Sequence, residues 1–225
     1  MGKFRNVLKN ASYAFLLAIN SSYVTDPAQR KLNEIMKKQE EIMDIEYSAR
    51  PVLILKRVPE ISEKLGGVHR SGIIEINSSY SGMWGALSHE LGHFYVFLNY
   101  SSERNNRLSK VSFRSKISQT EKNVIRYFTD EGIAAYFEYR TMNSLNCKRG
   151  WLFSLDIEKL RKGREEYGSK EFEELACEIV KPILDVNVDK GIETIIKNPM
   201  NEGDLEDIIG YQQRILKIVR ENSSR

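Results

Sequence analysis

The amino-acid sequence predicts an α+β fold, in which a small sheet packs with a larger set of helices. Two short segments, 52–58 and 71–77, are rich in β-branched and other apolar residues, which is typical of buried strands. The segments around them carry apolar residues at helical spacing. At 225 residues, the chain is long enough for one domain with a hydrophobic core, or for one domain with a helical annex.

The composition and the charge narrow the class of protein. Hydrophobic residues make up 41% of the chain and charged residues 29%, which is the ordinary balance of a globular protein. The net charge of +3 is too small to indicate a nucleic-acid partner. No run reaches the ~18 apolar residues that a membrane-spanning helix needs, so stable membrane insertion is not expected.

The cysteines and the N-terminus bear on the compartment. Cys147 and Cys177 are the only cysteines and do not form a CxxC pair, so we expect free thiols in a reducing, cytoplasmic setting. A single disulfide between them is the alternative. Secretion is the alternative location, because a basic start followed by the apolar stretch 11–19 loosely resembles a signal peptide. Tyr13 and Asn20 interrupt that stretch, which favours a helix packed on the body of the protein.

Two helices are predicted ahead of the sheet. The first covers 4–20, where apolar residues recur near helical spacing. The second begins at Asp26-Pro27, because Asp is a favoured N-cap and Pro is accommodated at the first helical position. It continues to about Tyr47, and Pro51 ends any helix before it.

The strands and the helix that follows them are predicted from their boundaries. Pro51 and Pro59 bound the strand at 52–58, and a short helix is predicted at 60–65. The strand at 71–77 leads through a serine-rich linker into a helix that covers about 83–99.

The segment 101–118 has a different character. It is basic and rich in serine and asparagine, which predicts an irregular, solvated loop. The alternative is a flap at the mouth of a cleft, attracting an acidic substrate or a peptide C-terminus. A helix resumes near Thr120-Glu121 and continues to about Tyr139.

The C-terminal part, 141–225, is predicted to form a helical subdomain beside an N-terminal unit covering 1–140. Three helical pieces are expected, and glycines and prolines separate them. They cover 154–167, 170–185 with an interruption at Pro182, and 202–221.

The chemistry-bearing motif is His89-Glu90-Leu91-Gly92-His93, within the helix at 83–99. Residues four apart lie on one face of a helix, so the two imidazoles can bind one Zn²⁺. Glu90 lies beside the first ligand, where it can hold a metal-bound water and accept its proton. This HExxH spacing predicts a hydrolytic zinc site with one Zn²⁺ per chain.

A catalytic zinc site needs a third protein ligand. No histidine follows His93, and the only other one, His69, lies upstream of the motif, so a carboxylate has to be considered. The stretch Thr129–Glu138 resembles the second helix motif of the gluzincin metallopeptidases, in particular the aminopeptidase N branch. That motif reads approximately Asn-Glu-Gly-x-x-x-Tyr-x-Glu, and Asp130 stands here in place of its Asn.

The gluzincin resemblance implies a zincin-like core, in which a small sheet is followed by an active-site helix and a glutamate helix. It implies that Glu131 is the third zinc ligand, and Gly132, Tyr136 and Glu138 fall at the matching offsets. Glu138 is expected to hydrogen-bond a ligand histidine. Between His93 and Glu131 lie 37 residues, about twice the family separation, which we interpret as an insertion at 101–118.

A second resemblance uses the same residues. The strand 71–77, a short linker and Leu87–His93 resemble the core of ImmA/IrrE-type metallopeptidases, which cleave repressor proteins. Both resemblances imply a zinc metallopeptidase that acts on a peptide or protein substrate with Glu90 as general base and acid. The alternative is a non-catalytic or regulatory protein with a zincin fold that keeps its metal.

Two further expectations concern the substrate. An extended peptide is expected to pair with the edge of the strand at 71–77, at the rim of a cleft between the core and the C-terminal subdomain. A hydrogen-bond donor should stabilise the oxyanion formed during hydrolysis. Sequence alone does not choose among the candidates, which are Tyr136, Tyr127, Tyr95 and His69.

Overall fold

A computed structural model describes residues 26–56, 66–110, 118–143 and 156–223. These ranges are mainly helical and contain a small mixed sheet, so the predicted α+β class is confirmed. The helices predicted at 4–20 and 60–65 lie outside the described residues.

The first described helix, α1, covers Asp26–Met43, close to its predicted position. Its apolar side chains at Leu32, Ile35 and Met36 recur at helical spacing and are buried in the core. The chain then crosses to the sheet through Tyr47, which is also buried.

The sheet contains three strands, β1 at Val52–Lys56, β2 at Gly67–Arg70 and β3 at Ile73–Asn77. β2 and β3 form an antiparallel hairpin, and its two-residue turn is Ser71-Gly72. Both turn residues have positive φ, 49° and 91°, as a type I′ hairpin turn requires. The sequence did not predict β2, because four residues after a Gly-Gly pair carry too little β-branched signal to stand out.

The strand order corrects the predicted mode of peptide binding. The order is β1-β3-β2, with β1 parallel to β3, so β3 is the central strand. The prediction that a peptide pairs with the edge of the strand at 71–77 is therefore wrong, because both of its sides are already paired. Within the described residues, the edge strands of this sheet are β1 and β2.

Helix α2 covers Met83–Lys110, so the prediction of an irregular loop is wrong for residues 101–110. The added turns bring Arg104 to the buried carboxylate of Asp130, with Nε and Oδ2 2.9 Å apart. The composition of this polar helical segment is the same as that of a loop. The sequence alone therefore predicts a loop where a contact with Asp130 stabilises a helix. Residues 111–117 lie outside the described part of the chain.

Helix α3 covers Gln119–Met142, which confirms the predicted helix near 120–139. The Ser118 side chain caps its start by accepting a hydrogen bond from the Glu121 amide, 3.1 Å away. At the other end, Asn143 adopts a left-handed conformation and its amide binds the Tyr139 carbonyl.

Five helices follow within residues 156–223. The predicted helix at 154–167 is divided by a turn at Gly163, and the helix after Asn187 was not predicted. The observed helices are α4 at Ile157–Arg161, α5 at Arg164–Leu184, α6 at Val188–Lys197, α7 at Glu202–Glu206 and α8 at Ile208–Ser223.

Pro182 does not interrupt α5, contrary to expectation. A proline has no N–H to give to the carbonyl four residues earlier, which is that of Glu178. The Gln212 side chain of α8 replaces this donor, because its Nε2 lies 3.1 Å from the Glu178 carbonyl oxygen and 2.8 Å from that of Ile179. A tertiary contact therefore compensates for a local helix-breaking signal.

One hydrophobic cluster extends from Ala28 in α1 to Val219 in α8. The rings of Phe128 and Phe172 meet in it, 5.3 Å apart, so it includes side chains from both sides of residue 140. The division into units at 1–140 and 141–225 stays a prediction. Within the described ranges, every helix is too short or too polar to span a membrane.

Cys177 is fully buried in α5 and is disulfide-bonded. The expectation of a free thiol at this position is therefore wrong, and the argument for a reducing compartment loses its support. Cys147, the other cysteine of the chain, lies outside the described residues. A cytoplasmic location stays a prediction.

Candidate metal centre

The site is built where α2 and α3 approach each other closely. A Cβ added at Gly92 would lie 2.8 Å from the Ala134 Cα and 3.2 Å from the Phe137 Cβ. Any larger residue at position 92 would push the helices apart. The small residues of the two motifs thus bring α3 within reach of the histidines on α2.

Three potential ligand atoms converge at this crossing. Glu131 Oε2 lies 3.4 Å from His89 Nε2 and 3.6 Å from His93 Nε2. A tetrahedral zinc site with bonds of about 2.0–2.1 Å has ligand atoms about 3.3–3.4 Å apart. The observed separations are close to those edges, so His89, His93 and Glu131 could form a metal site.

The cluster is buried on one side and reaches solvent on the other. The side chain of His89 is 8% exposed, whereas those of His93 and Glu131 are 21% and 18% exposed. A cation held here would keep an open coordination position on the solvent side, as catalytic metal sites do and closed structural sites do not.

Glu138 lies beside His89, and the hydrogen bond expected between the two side chains stays a prediction. Its Oε2 is 3.6 Å from His89 Nδ1, a buried nitrogen that has no hydrogen-bond partner among the residues that the structure describes. Carboxylates at this position hold a metal-binding imidazole in one orientation and tautomer. Burial alone would lower the pKa of His89, but the carboxylates of Glu131 and Glu138 outweigh it and raise the pKa well above the usual value.

Glu173 of α5 is a member of this region that sequence reasoning missed. Its carboxylate, the Glu138 carboxylate and a nitrogen of His89 offer atoms that all lie within 4.8 Å of one another. No motif contains Glu173, and only the packing of α5 against α3 brings it to the site. No sequence signal singled it out.

Glu90 follows His89 and is itself buried, with 8% of the residue exposed. It faces β2, since a Cβ added at Gly67 would lie 3.0 Å from the Glu90 Cγ. The proposed general base is therefore enclosed between the ligand-bearing helix and an edge strand of the sheet.

Two of the tyrosines expected to stabilise an oxyanion have their hydroxyls engaged elsewhere. Tyr95 donates to Asp189 of α6, and Tyr136 donates to Asp185 Oδ1 at 3.0 Å. Burial and the neighbouring aspartate raise the pKa of both hydroxyls above the usual value. Both residues serve the packing of α2 and α3 against the C-terminal helices.

Tyr127 and His69 are the remaining candidates for that role. Tyr127 is 39% exposed and lies four residues before Glu131, on the same face of α3. His69 lies in β2 rather than in a loop, and its Nε2 accepts a hydrogen bond from the Gly72 amide at 3.1 Å. That nitrogen is an acceptor, so the neutral His69 ring carries its proton on Nδ1. Tyr127 is the candidate placed on the Glu131 face of α3.

His69 is expected to make the stability of the fold depend on pH. Burial, with His93 and Arg104 nearby, lowers its pKa from 6.5 to about 4. Since the unfolded chain takes up this proton first, stability is present above pH 6.5 and is lost as the pH falls toward 4. Between pH 7 and pH 5, the loss should be about 2 kcal/mol.

The measurement is urea unfolding of the metal-free protein at pH 7 and pH 5, with His69→Gln as comparison. Glutamine keeps an acceptor for the Gly72 amide but does not titrate in this range. An equal pH dependence in both proteins would show that His69 is not responsible.

Gly92→Val is expected to lower the free energy of unfolding by about 1–3 kcal/mol, because the added side chain overlaps the Ala134 backbone. It should also weaken metal binding, since it separates Glu131 from the histidines. Gly203→Val is the matched control, because a Cβ at Gly203 meets only Asn201 Oδ1 at 3.4 Å. Urea unfolding and zinc titration measure both effects, and equal results for the two variants would contradict the close approach.

Comparison of the chain with protein-family models, with curated proteins and with solved structures finds no match to any of them. The functional assignment therefore depends on the residues of this site and on their geometry.

Proposed function

We propose that this protein is a zinc-dependent metallopeptidase with a zincin-like core. The observation that carries the proposal is the convergence of His89 Nε2, His93 Nε2 and Glu131 Oε2 at 3.4 and 3.6 Å. Glu90, the residue that such a site needs as a base, follows the first ligand on the same helix.

The donor set favours zinc among the divalent cations. Two imidazole nitrogens and one carboxylate oxygen form the His₂Glu set of catalytic zinc sites, whereas Mg²⁺ and Ca²⁺ prefer oxygen ligands. Bound there, zinc supplies Lewis acidity, which lowers the pKa of a bound water toward ~7 and polarises the scissile carbonyl.

The protein's own groups perform the proton transfers. Glu90 accepts a proton from the attacking water and later gives it to the leaving amine. Glu138, whose Oε2 lies 3.6 Å from His89 Nδ1, is proposed to orient the His89 ring when the metal is bound. Tyr127, an exposed residue four positions before Glu131 on α3, is the proposed donor to the oxyanion.

The substrate is proposed to be a peptide or protein segment in an extended conformation. β2 is an edge strand among the described residues, and its Gly67 lies against Glu90. A peptide that pairs with the outer side of β2 would therefore run past the proposed base. This assignment replaces the pairing with 71–77 that the strand order excludes.

The test is metal-dependent hydrolysis by the purified protein. We expect one zinc per chain by elemental measurement, and new peptide termini by mass spectrometry when an unstructured protein is the substrate. A chelator should abolish cleavage, and added Zn²⁺ should restore it. Zinc uptake without cleavage of any peptide would overturn the peptidase proposal and favour a structural or regulatory metal.

A further inference from the structure

A buried chain of hydrogen bonds crosses α2 directly behind the metal centre. Gln39 of α1 is fully buried, and its Nε2 lies 2.9 Å from Ser88 Oγ and 3.1 Å from the Ser88 carbonyl oxygen. Tyr47 donates its hydroxyl to Gln39 Oε1. Ser88 Oγ in turn donates to the Phe137 carbonyl of α3, at 3.3 Å.

All the hydrogen bonds of this series run in the same donor-to-acceptor direction, from Tyr47 to Phe137. The Tyr47 hydroxyl donates to an amide oxygen, an amide N–H donates to the serine oxygen, and the serine hydroxyl donates to a main-chain carbonyl. The Gln39 amide and the Ser88 hydroxyl each donate and accept, whereas the Tyr47 hydroxyl donates and also lies 3.3 Å from the Leu91 carbonyl oxygen. Burial raises the pKa of the Tyr47 hydroxyl, so it keeps its proton. Both hydrogens of the Gln39 amide are used, one by the Ser88 hydroxyl oxygen and one by the Ser88 carbonyl oxygen. The reverse orientation would place the amide oxygen against that carbonyl, so the amide has one favourable orientation.

The last two residues of this hydrogen-bonded chain, Ser88 and Phe137, are each followed in sequence by a residue of the candidate metal centre. Ser88 directly precedes His89, and Phe137 directly precedes Glu138. His89 Nδ1 and Glu138 Oε2 are 3.6 Å apart. The bond from the Ser88 hydroxyl to the Phe137 carbonyl therefore joins a side chain of α2 to the backbone of α3, one residue away from that contact.

We infer that Gln39, Tyr47 and Ser88 are positioning residues of the metal centre, which set the register of α2 against α3 so that Glu138 faces His89. The inference rests on the proposed function only in that it concerns the same metal. By this inference α1 helps to position the metal centre, because its Gln39 side chain hydrogen-bonds Ser88. None of the three side chains is a proposed ligand or base.

The test uses Ser88→Ala and Tyr47→Phe, which keep the shape of the core and each remove one hydroxyl from the chain. Tyr211→Phe is the matched control, since Tyr211 is also fully buried and its hydroxyl donates to a main-chain carbonyl, that of Asn198 at 3.2 Å. We expect both test variants to bind zinc about 10-fold or more weakly than the wild type, by competition with a chromophoric chelator. The visible absorption of the cobalt-substituted protein should shift in the same two variants.

The control variant should lose a similar amount of stability to urea but keep the wild-type zinc affinity and cobalt spectrum. Wild-type affinity and spectrum in Ser88→Ala and Tyr47→Phe would overturn the inference, whatever their stability. Zinc binding by the wild type without hydrolysis would overturn the proposed function alone, because the positioning of the metal would still be measured. A loss of zinc affinity in all three variants, the control included, would show that general destabilisation causes the loss. That result would also overturn the inference.

Discussion

A protein with Glu90→Gln is expected to bind zinc as tightly as the wild type and to hydrolyse peptide bonds about 10²–10⁴-fold more slowly. Glutamine has nearly the shape of glutamate and fits the same space between α2 and β2, where Gly67 leaves little room. It cannot accept a proton from the attacking water. The loss should therefore appear in kcat, with metal content and unfolding midpoint unchanged.

The control for this substitution is Glu75→Gln. Glu75 lies on β3 and its carboxylate pairs with Lys56 Nζ at 2.8 Å, so the same change is made on the sheet without touching the proposed base. Its activity should equal that of the wild type. Full activity in Glu90→Gln would refute the role of Glu90, and a loss of zinc from that variant would assign Glu90 to metal binding instead.

Glu131→Ala is expected to weaken zinc binding by more than about 100-fold, beyond the effect of changing a residue that merely orients a ligand. The substitution removes the carboxylate oxygen that lies 3.4 Å from His89 Nε2 and 3.6 Å from His93 Nε2. Two histidines one turn apart on α2 are left, and a pair of imidazoles does not complete a catalytic zinc site. Hydrolysis should fall with the zinc content of the sample.

Zinc affinity by competition titration measures this effect, and Glu121→Ala is the matched control. Glu121 is on the same helix, but its carboxylate pairs with Arg161 Nε at 3.3 Å, away from the ligand cluster. Unchanged zinc affinity in Glu131→Ala would refute the third-ligand assignment. In that case Glu138 and Glu173, which form the second cluster with His89, would be the next residues to replace.

The elements with long periodic patterns could be predicted from the sequence. Helices α1 and α3 and strand β1 appear near their predicted positions, because each has its own start signal and a regular buried face. β2 and the turns of α2 beyond residue 100 could not be predicted in this way. A four-residue strand and a polar helix both depend on partners elsewhere in the chain, namely β3 and Asp130.

The residues of the candidate site also differ in whether a local sequence pattern or a contact between helices determines their position. His89 and His93 were placed on one face by helical spacing alone, which is a local property of the chain. Glu131 was assigned from a resemblance, and its approach to the histidines depends on the contact between Gly92 and Ala134. The direction of each tyrosine could not be predicted, because aromatic residues at helical spacing look alike in a sequence whether they face a cleft or the core.

The sequence by itself determined the two-histidine motif with its adjacent glutamate, the helix that carries it and the α+β class, since these follow from local spacing and periodicity. Only the tertiary structure decided which strand is central, that Tyr95 and Tyr136 turn to aspartates of the C-terminal helices, and that Glu173 joins the centre. The same holds for the hydrogen-bonded chain through Gln39, whose bond to Ser88 joins residues 49 positions apart. Such contacts depend on the packing of whole helices, and no local pattern in the chain encodes them.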